Sequence, residues 1–291
     1  SRLRFAPWCR PDDDDARIAE LLALQGRAGR LWEVAGIKLF IDGTIDAGTA
    51  WLHQPDTLGE STSAYWEDPS DYRRALHRFA GAGVATATHA IGDAAVEHVL
   101  DTLDAAVVRD GGARHRIEHI ETLPLTQVGR FAELGVIASM QPTHATDYTR
   151  ADHTDNWSRR LGAHRADRGW PCRDLVGAGA VLVLGSDWPV APYDPRLVLA
   201  AAQLRRPARH PELAPVGVDQ KLTAGQGLHA MTTAPAWAAG AEHRLGKVAA
   251  GLLADLTVWA SDPVEVPAAD LADLPVMLTV VDGRVVHRSG S

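Results

Sequence analysis

Apolar residues along this chain follow two alternating rhythms. Short runs at residues 2–8, 36–41, 84–89, 116–120, 135–141 and 180–186, apolar with interspersed polar positions, have the length of buried strands. Between them, residues 16–24, 69–81, 94–108, 125–134 and 172–177 are apolar at helical spacing; Ala95, Val99, Leu103 and Val107 fall on one face. Ser70, just after Pro69, reads as a helix cap, and Asp93 as a cap for the helix that follows it. Strands alternating with helices predict βαβ units and a parallel sheet. Polar stretches at 42–68 and 142–170 predict long loops. Beyond residue 187 the rhythm changes. Residues 222–230 and 234–240 look helical, and 254–259, 276–281 and 284–287 alternate like antiparallel strands, with Asp282-Gly283 as a hairpin turn. The chain therefore divides into an α/β domain over residues 1–230 and a C-terminal portion of helix and β-structure over 231–291.

Composition narrows this picture. The chain has 291 residues and a formal net charge of −8. Both signs are mixed throughout, and no basic patch interleaved with aromatics occurs, so nucleic acid is not an expected partner. The acidic run from Asp12 to Asp15 reads as a solvated helix start. Two cysteines, Cys9 and Cys172, without a Cys-x-x-Cys pair, imply no disulfide framework and predict a cytoplasmic, reducing setting. No apolar run reaches the ~18 residues of a membrane span, so no membrane association is expected.

Candidate chemistry sits at the strand ends. Lys38, His89, His119 and Asp187 each lie at or near the C-terminal end of an apolar run. In a (β/α)8 barrel those ends converge on the face that holds the chemistry. Neutral imidazole is the commonest metal ligand. A carboxylate after an apolar strand is costly to bury unless it is paired or bound to a metal. Asp187 can also take a proton from water and return it to a leaving group. Lys38, inside Gly-Ile-Lys-Leu-Phe, has two readings: a neutral amine that adds carbon dioxide to form a metal-bridging carbamate, or a salt bridge to Asp42 or Asp187. His144 at the end of the 135–141 strand, together with Asp42 and Trp188, is a candidate substrate contact; Asp46, Trp51 and Trp66 are weaker ones. The 147–170 segment, which carries Arg165, reads as a lid. Glu118 reads as an ion-pair partner of Arg116 or Arg114.

These residues resemble the amidohydrolase superfamily, in particular the metal-dependent branch that includes N-substituted formamide deformylases. The matching stretches are 38–44, 89–93, 114–119, 135–142, 185–190 and 246–256, in the same order along nearly the whole chain. The resemblance implies a (β/α)8 TIM-barrel-type fold and a small β-sandwich built from both chain ends. It implies a divalent metal, zinc by expectation, as one or two ions on a carboxylated Lys38, His89, His119 and Asp187. The reaction it implies is hydrolysis of a C–N bond in a small amide or formamide. One departure matters. The family's first strand carries His-x-His, and none of the thirteen histidines here has another two residues away. Residues 2–8 then read as the third barrel strand, with strands one and two absent. A missing N-terminal segment or association of copies would complete the barrel. The competing reading is a catalytically inactive fragment or structural subunit.

Overall fold

The structure is a computed structural model, and it describes residues 1–105 and 112–290. The chain opens with β1 (Leu3–Phe5), α1 (Asp15–Ala23), β2 (Ala28–Gly29), β3 (Trp32–Val34) and β4 (Ile37–Phe40). There follow α2 (Pro69–Gly81), β5 (Thr86–Ala90), α3 (Asp93–Ala105), β6 (Arg116–His119), α4 (Leu125–Leu134) and β7 (Ile137–Met140). Next come α5 (Pro142–Tyr148), α6 (Asn156–Leu161), α7 (Ala163–Ala166), α8 (Cys172–Gly177), β8 (Leu182–Leu184) and α9 (Pro195–Leu204). The last elements are α10 (Ala224–Met231), α11 (Thr233–Ala238), β9 (Leu256–Trp259), β10 (Val276–Val281) and β11 (Arg284–Arg288). The reach of the third predicted helix to Val108 lies outside the described residues.

The chain forms two compact units. The first holds Ser1–Ser139 and Asn156–Val181; the second holds Met140–Asp155 and Leu182–Ser291. In the first, β4, β5, β6 and β7 pair in parallel in sequence order. Ile37, Leu39, Ala87, Ile117, Ile137 and Ala138 are buried along these strands, and α2 and α3 bury Leu76, Phe79, Val99 and Leu100. Gly92 marks a close approach. A Cβ there would stand 2.0 Å from the Trp51 carbonyl, so the turn after β5 can seat the 42–51 loop only without a side chain. In the second unit Gly185 N–H donates to Met140 O beside β8. β10 pairs antiparallel with both β9 and β11, as the alternation predicted. Leu199, Ala200, Leu271 and Leu274 form a buried cluster there. Among the described residues no helix is long and apolar enough to cross a membrane.

Several expectations need correction. Residues 2–8 do not form one barrel strand. Leu3–Phe5 pairs with β3 in a separate small sheet that also contains β2. Only the stretch around Trp8 runs beside β4, where Lys38 N–H donates to Pro7 O and Cys9 N–H to Lys38 O. Pro7 has no N–H, which suits it to the point where the chain leaves one sheet for the other. The cap of α2 is Asp68, whose carboxylate accepts from Ser70 N–H while Pro69 takes the first turn. Asp93 opens α3 as its first residue. The expected loop at 142–170 contains α5, α6 and α7 instead. It is no loose lid: Arg165 donates to Gln54 O at 2.8 Å and Pro55 O at 3.0 Å. Arg160 binds Asp56 at 2.6 Å, and Asn156 donates to Asp46 O at 2.9 Å. The helix α9, which the apolar pattern did not predict, is capped by Asp194, whose carboxylate accepts from Arg196 N–H, and opens on Pro195.

Candidate active site

The first unit carries Lys38, Asp42, His89 and His119 on or just after three adjacent strands: Lys38 is the second residue of β4, Asp42 follows β4, His89 lies near the end of β5 and His119 closes β6. Register pairs Lys38 with Ala87 and His89 with Glu118. Paired residues share a face of the pleat, as do residues two apart on one strand, so Lys38, His89 and Glu118 share one. His119 is paired with Ala90, off that face. Its backbone leaves the extended region, with φ of 78°, a left-handed value uncommon outside glycine and asparagine. The His119 ring nonetheless lies 4.4 Å, centroid to centroid, from that of His89, edge to face. Both imidazoles are buried.

His89 is held from several sides. Phe40 stacks on it at 4.8 Å, its Nε2 lies 2.9 Å from Gly43 O, and Asp42 stands 3.7 Å from the same nitrogen. A neutral imidazole that donates from Nε2 carries its lone pair on Nδ1. Asp42 is buried and accepts N–H groups from Trp51 at 2.9 Å, Ile91 at 3.0 Å and Gly92 at 2.8 Å. Burial pushes its carboxyl up to about 7, although the three N–H groups oppose this. Asp42 thus fixes the loop and turn around His89. The Lys38 ammonium lies 4.7 Å from the Phe40 ring centroid. Burial alone would raise the Glu118 carboxyl. The charges of Arg116 and Lys38 outweigh it and hold the group below its ordinary range. Arg116 Nε donates to Glu118 at 2.5 Å, which bears out the pairing expected from sequence. The nearness of Glu118 to Lys38 was missed, although the two-residue period and the strand register together reveal it.

The second unit brings together two more. His144, buried on α5, has Nε2 3.9 Å from an Asp187 carboxylate oxygen. Desolvation lowers its pKa, against a bond to the Ser186 backbone and the charge of Asp147. His144 is therefore a neutral ring aimed by the segment that carries Asp187. Asp187 follows β8 with φ of 56°, again left-handed, and its side chain is 43 % exposed. Tyr148, one turn on from His144, donates its hydroxyl to Val190 O at 2.6 Å and braces the 187–190 turn. Trp188 is 66 % exposed. Trp66, by contrast, is core: it is buried and donates to Phe40 O at 2.7 Å. Left-handed backbone at two non-glycine candidates, His119 and Asp187, is strain that a packed fold retains where it aims a functional group.

The sequence profile of the amidohydrolase family matches residues 4–287, so the chain belongs to the amidohydrolase family. Among individual relatives, the protein LONG AFTER FAR-RED 3 of Arabidopsis thaliana is 28 % identical over 283 residues, covering 94 % of this chain and 46 % of that protein. The N-substituted formamide deformylase of Arthrobacter pascens is 31 % identical over 212 residues, or 72 % of this chain and 38 % of its own. The crystal structure of an uncharacterized metal-dependent hydrolase from Pyrococcus horikoshii superposes with a TM-score of 0.73 at 27 % identity. It covers 90 % of this chain and 51 % of that one. The chain thus spans about half the length of these relatives or less.

Proposed function

We propose that this chain carries catalytic residues of a metal-dependent hydrolase that cleaves a C–N bond in a small amide or formamide. The observation that carries the reading is the buried pair of imidazoles at the ends of β5 and β6. Two imidazole rings with centroids 4.4 Å apart, one of them turned into place by left-handed backbone, offer nitrogen donors of the kind a divalent metal such as zinc takes. Family membership and the likeness to a metal-dependent hydrolase support it. The proposed ligands are Lys38 as its carbamate, His89, His119 and Asp187. When bound, the ion supplies Lewis acidity toward the carbonyl and toward water. The remaining chemistry belongs to the chain. Asp187 takes the proton from the attacking water and passes it to the departing nitrogen. His144, neutral and oriented by the Ser186 backbone, contacts the substrate oxygen, and the exposed Trp188 indole packs against its apolar part. Asp42 holds the loop that steadies His89.

Elemental analysis of the purified full protein, with intact mass on the same sample, tests this together with turnover of simple N-alkyl formamides. The expected result is one or two equivalents of zinc or a similar ion, and loss of both metal and turnover in His89→Asn and His119→Asn. A folded protein with no bound metal and no turnover would sink the proposal in favour of a structural role.

A further inference from the structure

Two consecutive residues of the first unit, His119 and Ile120, have left-handed backbone, with φ of 78° and 51°. For a β-branched residue such as Ile120 that region is a steric outlier, so the turn is strained and persists only where its surroundings over-determine it. Because β6 ends at His119, this turn decides where the imidazole points. Backbone bonds tie it to the end of β5. Ile120 N–H donates to Ala90 O at 3.1 Å, and Thr122 donates to Ile91 O from its N–H at 3.1 Å and from its hydroxyl at 3.0 Å. Between them stands Glu121, 6 % exposed. Its carboxylate accepts the Trp157 indole N–H at 2.7 Å, from a residue 36 positions further along the chain. Its carbonyl accepts Trp170 N–H at 3.0 Å. Trp157 and Trp170 are both buried, with ring centroids 4.6 Å apart. Trp157 lies on α6, which is itself fixed to the 42–60 segment through Asn156 to Asp46 O and Arg160 to Asp56. An aliphatic side chain would fill the place of Glu121 without the cost of burying a carboxyl. What the carboxyl adds is a directed bond from the strained turn to a rigid pair of indoles.

We infer that Glu121 is a positioning residue: its bond to Trp157 holds the left-handed turn at 119–120 and thereby sets the aim of the His119 imidazole. The aiming of a ligand rests on the metal reading proposed above; the holding of the turn does not. Two measurements on the full chain separate these: hydrogen exchange of the Ile120 and Thr122 amides, and zinc affinity by competition with a chromophoric chelator. Glu121→Leu removes the acceptor, and Trp157→Phe removes the donor while keeping a ring against Trp170. Each should speed exchange of the two amides about tenfold and weaken zinc about tenfold, with α2 amides unchanged. Combining the two should be no worse than either alone, since both break the same bond. Glu121→Gln keeps an acceptor for the indole and should stay within about twofold of the wild type in both readings. Trp157→Phe decides the question if Glu121→Leu does not fold. Wild-type exchange at Ile120 and Thr122 in a folded Trp157→Phe variant would overturn the clamp. A loosened turn with unchanged zinc affinity would overturn the aiming of His119. A wild-type chain that binds no zinc would overturn the metal reading and the aiming with it, while the exchange rates still decide whether Glu121 holds the turn.

Discussion

At the scale of single residues, buried imidazoles divide by what they face. His89 and His119 meet each other, whereas His115 meets a hydroxyl and an amide. Its Nδ1 lies 2.8 Å from Thr86 Oγ1 and accepts the Thr86 N–H at 3.2 Å. Burial lowers its pKa to about 4 from an ordinary 6.5. The folded state therefore binds this proton less readily than the unfolded chain does. The stability His115 contributes is complete above pH 6.5 and is lost as pH falls toward 4, by an amount on the order of 2–3 kcal/mol. Urea midpoints at pH 7, 5.5 and 4 should show this loss, and His115→Gln, which keeps an acceptor for Thr86, should flatten it. Equal pH slopes for the two proteins would count against a neutral, buried His115. Sequence alone placed Lys38, His89, His119 and Asp187 at strand ends because apolar runs ending in a polar residue are visible in one dimension. It could not show the left-handed backbone at His119 and Asp187, which the surrounding packing imposes and no residue type there announces.

Elements were legible where periodicity was long and bounded. The helices α2, α4 and α8 fall where the spacing puts them, since Pro, Gly and apolar stripes mark their limits. The helices α5, α6 and α7 are too short and too polar for a stripe, and they are stable through contacts distant in sequence. Arg160 shows how. It joins α6 to the 56–60 turn through Asp56 at 2.6 Å and Glu60 at 2.9 Å, and the Asp56 side chain is fully buried. Asp56 would be raised by burial, but backbone N–H groups and Arg160 hold it below its ordinary range. Removing the guanidinium leaves a buried carboxylate short of one charged donor, at a cost of about 2 kcal/mol. Arg160→Met should therefore speed hydrogen exchange of the 157–162 amides by roughly thirtyfold, with α2 unaffected. Fast exchange of these amides already in the wild-type protein would restore the lid reading.

For the whole molecule, the decisive feature is apolar surface on two small sheets. In the first unit Leu3, Phe5 and Trp32 are 52 %, 48 % and 43 % exposed, around the β1–β3–β2 sheet. In the second, Val285 and Val286 on β11 are 52 % and 59 % exposed, and Met277 on β10 is 41 % exposed. Adjacent large apolar side chains on sheet faces rarely stay in water, because each would bury surface worth about 25 cal/mol per Å². The 31.2 kDa chain by itself is thus expected to associate through these faces. Sedimentation velocity at micromolar concentration should show species heavier than 31.2 kDa. Replacing Phe5 and Trp32 by Ser should shift the distribution toward the monomer without altering secondary structure, and a Val285→Ser, Val286→Ser variant should act independently on the second sheet. A strictly monomeric wild-type chain would mean that these faces are tolerated in water, and the association expected from their exposure would be withdrawn.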